Sequence, residues 1–527
     1  MLVSIFNDVI GPVMRGPSSS HCAAALRIGR LARDLMEGDF ADLLVEFDRQ
    51  GSLPTTHDTQ GSDMGLFGGL LGWDAADARL PGSPQALREA GVRLAIETVD
   101  AGDPHPNTYR LTLRSARETH TLRAISTGGG MMEVIDLDGF AVSLFGDCCE
   151  TLLWVDGTGP EVGALLQARF AADAILLHQA EHRQLIEVKA AIFVGDALLA
   201  DLPGLLAVRR LGPVLPVQTR RGTQVPFGSC AELLAVDAGR GLPLWQWAVA
   251  YERERGGLSE AEVLAKMGEI VRIVRRSIAE GIAGTHYEDR VLGHQCGRFD
   301  ELMREGRLLD GGALNRIILY VTALMEVKSS MGVIVAAPTA GACAALPGAV
   351  VAMAEAMGLD EEAMARALLA SGLIGVFIAT RWTFAAEVGG CQAEGGSAAS
   401  MAAAALVTLA GGTLAQSVAA ASMALQSMIG LICDPVANRV EVPCLGKNVM
   451  AASNALSCAN MALAGYDPII PLDEVIDTAK QVATQMPREL RCTNLGGLSI
   501  TPTALALEEK LAARRAASCG TGCGCSS

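Results

Sequence analysis

Aromatic side chains are scarce in this chain: 5 Trp, 5 Tyr and 12 Phe make up 4% of 527 residues. Large rings therefore do not build its interior; half of the composition is hydrophobic, and the excess of Ala, Val and Leu, together with Gly, suits closely packed helices. Lys/Arg-rich runs are also missing, and the formal charge of -16 disfavours a nucleic-acid partner, because phosphate binding gains from clustered cations. The first residues, MLVSIFNDVIGPVMRGPSSSH, lack a basic leader ahead of an apolar segment, so a cytoplasmic location is expected. From Ser397 to Cys433 there is not one charged residue, which raises the question of a membrane span. The stretch is Ala-rich, carries Ser, Thr and Gln, and is broken at Gly411-Gly412, so buried helices are expected instead and no membrane partner.

Cysteine is plentiful, with 14 residues, and in a reducing compartment such thiols are catalytic, metal-binding or simply buried rather than paired. The length predicts two or three domains. GPSSSH at Gly16 to His21 leads into an amphipathic helical pattern, where hydroxyls and exposed N-H groups suit a carboxylate, although an ordinary helix cap explains the same residues. Between Thr121 and Ala190 the pattern TLLWVD, GTGP, EVGALLQARFA, AILLHQ predicts a βαβ unit, either regulatory or merely structural. From about Pro226 onward long helical patterns dominate, interrupted by Gly- and Pro-containing breaks.

Three cysteines fall in those breaks: Cys391 in GGCQAEGG, Cys433 in CDPV and Cys444 in VPCLGKN. A trio of soft thiolates suits iron-sulfur or zinc. Their spacing is not a standard signature for either, and by spacing alone buried free thiols are the simpler explanation.

The segments PTAGACAALPG, EVGGCQAEGGSAASMAAAAL, CDPVANRVEVPCLGKNVMAASNA and LGGLSI resemble the α part of bacterial iron-sulfur L-serine dehydratases, also called L-serine ammonia-lyases. GPSSSH and VPFGSCAELLAV resemble their β part, in family order, with the region from Met132 to Val225 the least similar. The resemblance implies a serine dehydratase β-like domain over 1–130 and an inserted, ACT-like α/β segment over 131–225. An all-helical catalytic domain over 226–510 and a Cys/Gly-rich tail over 511–527 would follow. The expected fold class is thus an α+β N-terminal part, including an ACT-like βαβ unit, followed by a large all-α domain.

The same resemblance implies that Cys391, Cys433 and Cys444 hold a 4Fe-4S cluster and leave one iron open as a Lewis acid for the substrate's β-hydroxyl. Pyridoxal phosphate is not required. Ser18, Ser19, Ser20 and His21 match the family's SSSH and are candidates for substrate contacts; the backbone at Thr339, Ala340 and Gly341 is a second candidate wall, or else a tight turn between helices. Cys343 is read as pocket lining and Cys492 as structural. Relatives form dimers or larger assemblies, so a homo-oligomer is expected.

Several positions depart from the family. Where relatives carry a GKGHxTD-like stretch with a His suited to proton abstraction, this chain reads HDTQGSD, with Gln60 in place of that His and Asp63 retained. His57, three residues earlier, is the candidate base, with an ordinary loop histidine as the alternative. AGAC and RWTFAAEVGGCQ also differ from some relatives, so another β-substituted amino acid is a possible substrate in place of serine. Family members tend to end after the GGL segment with a cysteine able to cap the open iron; here the chain continues to CGTGCGCSS, and Cys519, Cys523 and Cys525 are candidate caps. Two other readings remain open at this level: a cysteine desulfidase-like lyase, and a non-catalytic iron-sulfur sensor.

Overall fold

The computed structural model describes residues 2–220 and 222–520, without the side chains of 515–520. The chain forms two compact units: Met1–Asp8, Ser20–Pro226 and Tyr251–Leu258 make one, and Val9–Ser19, Phe227–Ala250 and Ser259–Ser527 the other.

Strands are numbered along the chain; β1 (Val13–Met14) belongs to the second unit. The first unit holds a six-stranded sheet of β2 (Asp42–Asp48), β3 (Arg93–Val99), β4 (Thr108–Arg114), β5 (Thr119–Gly128), β6 (Met131–Leu137) and β7 (Phe140–Leu144), in the order β3-β2-β4-β5-β6-β7. Only β2 and β3 pair in parallel. β4 reads TYRLTLR and β5 THTLRAISTG, and the alternation places Leu111, Leu113, Leu122 and Ala124 in the core. The helices Ala24–Leu35 and Ser62–Leu70 pack on one another and join that core through Ile28, Leu31, Leu66 and Leu70.

The sheet is followed by β8 (Cys149–Val155), a helix over Gly159–Arg169, β9 (Ala174–Ala180), β10 (Arg183–Ala190), a one-turn helix Asp196–Leu199 and β11 (Leu205–Leu211). Their order, β11-β8-β10-β9 with every neighbour antiparallel, is the split βαβ arrangement of ferredoxin-like and ACT-like folds. β8 and β9 run parallel with β10 inserted between them, so the helix crosses over as the sequence pattern requires.

Among its described residues the second unit is helical, apart from β1 paired antiparallel with β12 (Ile334–Val335). Its centre is the helix Ser397–Leu409, buried at every residue except Thr408 and packed against Ala345–Ala356, Glu361–Arg381, Leu414–Gln426 and Cys444–Leu463. Small alanines let four neighbours approach one helix closely, which explains both the missing aromatics and the missing charges. The break at Gly411-Gly412 ends this helix, and Thr413 with Gln416 forms a capping box that starts the next. Glu361–Arg381 is long and apolar enough to cross a membrane by composition, but 78% of its apolar window is buried among these helices.

Candidate metal centre and substrate residues

The cysteine site is assembled by backbone hydrogen bonds between separate loops. Gly390, at φ +68°, turns the chain after the short helix Ala386–Gly389 so that Cys391 begins a π turn, Gln392–Gly396, leading into Ser397–Leu409. A β-carbon at Gly390 would meet Leu431 O at 2.9 Å and Met486 Sδ at 2.8 Å, so only glycine fits. Gln392 then ties this turn to the next loop: its N-H donates to Leu431 O at 2.9 Å, and its Oε1 accepts from Gly430 N-H at 2.8 Å. Cys433 follows directly, its N-H donating to Leu490 O at 2.9 Å while Cys492 N-H donates to Cys433 O at 3.3 Å. Cys444 opens the helix Cys444–Leu463, and one turn later Lys447 donates to Asp434 Oδ1 and Ile432 O, both at 2.7 Å.

These thiols are buried and unpaired in disulfides. One ligand atom from each of Cys391, Glu394 and Cys433 lies within 4.8 Å of the others. The Cys433 thiol hydrogen-bonds with Cys391 and Cys492, and those bonds together with burial hold its pKa well above the ordinary range. Burial, then the proximity of Cys391, raises Cys444 as well. Cys492 is also raised: the bond with Cys433 pulls it down, but burial and the charges of Glu387, Glu394 and Cys391 outweigh that. Burial thus favours the protonated form at Cys433, Cys444 and Cys492, and binding a metal would displace those protons.

Two lysines supply positive charge. Burial opposes the charge on Lys447, but Cys391, Asp434 and Cys444 hold its pKa up, and its Nζ lies 3.8 Å from Cys391 Sγ. Lys328 is fully buried, donates to Val440 O, and reaches Cys444 and Glu394 electrostatically. Burial, followed by Glu387, pushes the Glu394 carboxyl up to about 7, and Thr339 hydrogen-bonds to it. Soft thiolates, flanking cations and exclusion of water are a donor set that fits an iron-sulfur cluster. The LGGLSI segment braces it: Leu498 N-H donates to Asp434 Oδ2 at 3.0 Å, and Gly497, at φ +60°, would clash with Asp434 if it bore a β-carbon.

Thr339, Ala340 and Gly341 form the turn between β12 and the helix Ala345–Ala356, beside this site. Ala340 N-H donates to Ser19 Oγ at 3.2 Å, Gly341 O accepts from Asn448 Nδ2 at 2.8 Å, and a β-carbon on Gly341 would meet Glu394 Oε1 at 2.8 Å. The two sequence candidates, the serine run and this turn, thus meet through Ser19. Cys343 is buried with its thiol pushed up to about 12 by burial. The serines do not form a separate cap: Ser19–Ala23 is a π turn running straight into Ala24–Leu35.

Ser18 and Ser19 lie in the helical unit, and Ser20 and His21 begin the other. His21 Nε2 and Thr56 Oγ1 are 2.8 Å apart, and burial, then the charge of His57, lowers His21 to about 3, so it is neutral. Its neighbour along the chain from Thr56, His57, has its Nδ1 2.8 and 2.9 Å from the two oxygens of Asp63. Burial pulls the His57 pKa down, but the Asp63 hydrogen bond and the charges of Asp63 and Asp58 outweigh it and leave it raised. Gln60 is buried, its N-H donating to Thr56 O at 2.9 Å. The two histidines thus have oppositely shifted pKa values, and a carboxylate orients one of them. Cys523 and Cys525, and the side chain of Cys519, lie outside the described residues.

The Serine dehydratase alpha chain family model matches residues 239–499. A probable L-serine dehydratase alpha chain of Bacillus subtilis is 37% identical over 285 residues, 54% of this chain and 95% of that protein. The chain belongs to the L-serine dehydratase family. The L-serine dehydratase alpha chain of Peptoniphilus asaccharolyticus is 35% identical over 278 residues, 53% of this chain and 95% of its own length. A probable L-serine dehydratase beta chain of B. subtilis is 40% identical over 144 residues, 27% of this chain and 64% of that protein. Parts that these relatives carry on separate α and β chains are fused here.

Sequence reasoning passed over Glu394, Lys328 and Lys447 and read Cys492 as structural, although all four lie close to the cysteine trio. Lys447 stands one helical turn after Cys444, and Glu394 three residues after Cys391, so helical spacing from the cysteines was the available signal.

Proposed function

We propose that this protein is an L-serine ammonia-lyase. It converts L-serine, or a closely related β-hydroxy amino acid, to ammonia and pyruvate or the matching 2-oxo acid, with a 4Fe-4S cluster on Cys391, Cys433 and Cys444 and no pyridoxal phosphate. The observation that carries this reading is the buried convergence of Cys391 and Cys433 with Lys447, Glu394 and Cys444. When bound, the cluster would supply a Lewis-acidic iron that makes the β-hydroxyl a better leaving group.

The chain supplies the rest. Neutral Nε2 of His57 accepts the Cα proton, while Asp63 fixes the other ring nitrogen and stabilises the imidazolium that results. Ser18, Ser19, Ser20 and His21 hold the carboxylate and amine, and the Thr339–Gly341 turn forms a wall beside Glu394. After water is lost, the enamine tautomerises and hydrolyses in solution, releasing ammonia. The expected location is the cytoplasm, where thiols that hold a metal stay reduced. The partner is a small amino acid, and the working form is a homo-oligomer. The test is ammonia release by anaerobically prepared protein from L-serine, L-threonine, L-cysteine and 3-hydroxyaspartate: L-serine is turned over fastest. Preferred turnover of L-cysteine with sulfide release would replace this reading with a desulfidase.

A further inference from the structure

We propose that Cys492 is a fourth thiolate of the cluster site, closing the remaining corner in the resting protein. This rests on the cluster reading above. Cys391, Cys433 and Cys492 form one buried group with Ala386 and Leu431, and the Cys433 thiol hydrogen-bonds to both of the others. The contact is built by the main chain. Cys433 and Arg491 form a parallel bridge, with Cys433 N-H on Leu490 O and Cys492 N-H on Cys433 O. Cys492 itself sits at φ +50°, a left-handed conformation uncommon for a residue with a β-carbon other than Asn or Asp, and Asn494 follows at φ +60°. The imposed turn aims the thiol back at Cys433.

The four sulfurs are not equally held. Cys391 leads into a helix buried at all but one residue, Cys444 begins a helix of 20 residues, and Cys433 is tied at its amide and carbonyl. Cys492 lies in a short loop between the single turns Arg488–Leu490 and Gly497–Ile500. Rotation about its Cα-Cβ bond would withdraw this sulfur without moving a helix. Withdrawal leaves the electron pair on sulfur and changes no oxidation state, so the corner opens to substrate without a redox partner. Lys447 and Lys328 offset the added negative charge of a fourth thiolate. Cys519, Cys523 and Cys525 then have no capping role.

The test compares anaerobically reconstituted wild type, Cys492→Ala, Cys492→Ser and a chain ending at Arg514. Iron release to a chelator and the 3Fe-4S signal in electron paramagnetic resonance after mild oxidation are measured. Cys492→Ala should lose its corner iron at least about 10-fold faster than wild type, since even the loss of a group that only supports a ligand costs about 10- to 100-fold in metal affinity. Cys492→Ser should fall between, and the shortened chain should match wild type. Should Cys492→Ala fail to fold, judged by circular dichroism of the apoprotein, the serine variant decides by the same rates. Wild-type release rates in Cys492→Ala, or fast release from the shortened chain, overturn the proposal while leaving the cluster reading intact. A wild-type chain that takes up no cluster overturns both.

Discussion

Replacing Asp63 with Asn removes the charge 2.8 and 2.9 Å from His57 Nδ1 while keeping the shape of the side chain. The pair is mostly enclosed, with side-chain exposures of 23% for His57 and 15% for Asp63, so solvent screens it only partly. A hydrogen bond to a charged group at such a site contributes about 1.5–3 kcal/mol. Asp63 bonds most strongly to the imidazolium formed after proton transfer, so its loss should reduce kcat by roughly 10- to 100-fold at about 1.4 kcal/mol per decade. The pH dependence gives an independent sign. His57 must be neutral to act as a base, so activity falls as pH drops through its pKa. Asp63 raises that pKa above 6.5, and its removal leaves burial opposed only by Asp58, so the acid limb should move to lower pH. The folding linkage has the matching sign: the pair's stabilisation is fully present below pH 6.5 and is lost as pH rises through the folded pKa. Ammonia-release profiles of wild type and Asp63→Asn against pH decide the matter. An acid limb that stays in place, or moves upward, refutes the assignment of His57 as the base.

Cys391→Ala, Cys433→Ala and Cys444→Ala should each abolish the visible absorption of the cluster and all turnover, whereas Cys148→Ala, on a buried thiol of the other unit, should alter neither. His57→Ala should retain cluster absorption and lower kcat about 10²- to 10⁴-fold, the range of a general base. Gly390→Ala should destabilise the fold by about 2–5 kcal/mol, combining a left-handed alanine with overpacking against Leu431 and Met486, as measured by urea denaturation. Ser19→Ala should strand the Ala340 N-H, costing about 1–3 kcal/mol of stability by the same assay and raising KM for serine.

Much of the helical unit was legible because its signals are local: Gly-flanked breaks carry Cys391, Cys433 and Cys444, and Thr413 follows Gly411-Gly412 as a cap. The split βαβ unit announced itself through TLLWVD and AILLHQ, although RQLIEVKA and LLAVRRL, which complete its sheet, were not read as strands. The six-stranded sheet was passed over despite the alternation in TYRLTLR and THTLRAIST, because its core positions are set by cross-strand pairing between distant segments. Cys492 was read as structural for a similar reason. Nothing beside it in RCTNLGG marks a ligand; only the bridge between Arg491 and Cys433 places it among the other thiols. His57 and Asp63 stood six residues apart in plain view, but a local turn had to fold before they could pair.

Purification under strict exclusion of oxygen, followed by iron and sulfide analysis, a visible spectrum and ammonia release from L-serine on the same sample, tests the central claim most directly. The account predicts brown protein with about four irons per chain, whose activity falls in proportion as iron is removed. Colourless, iron-free protein that deaminates L-serine at full rate would contradict it.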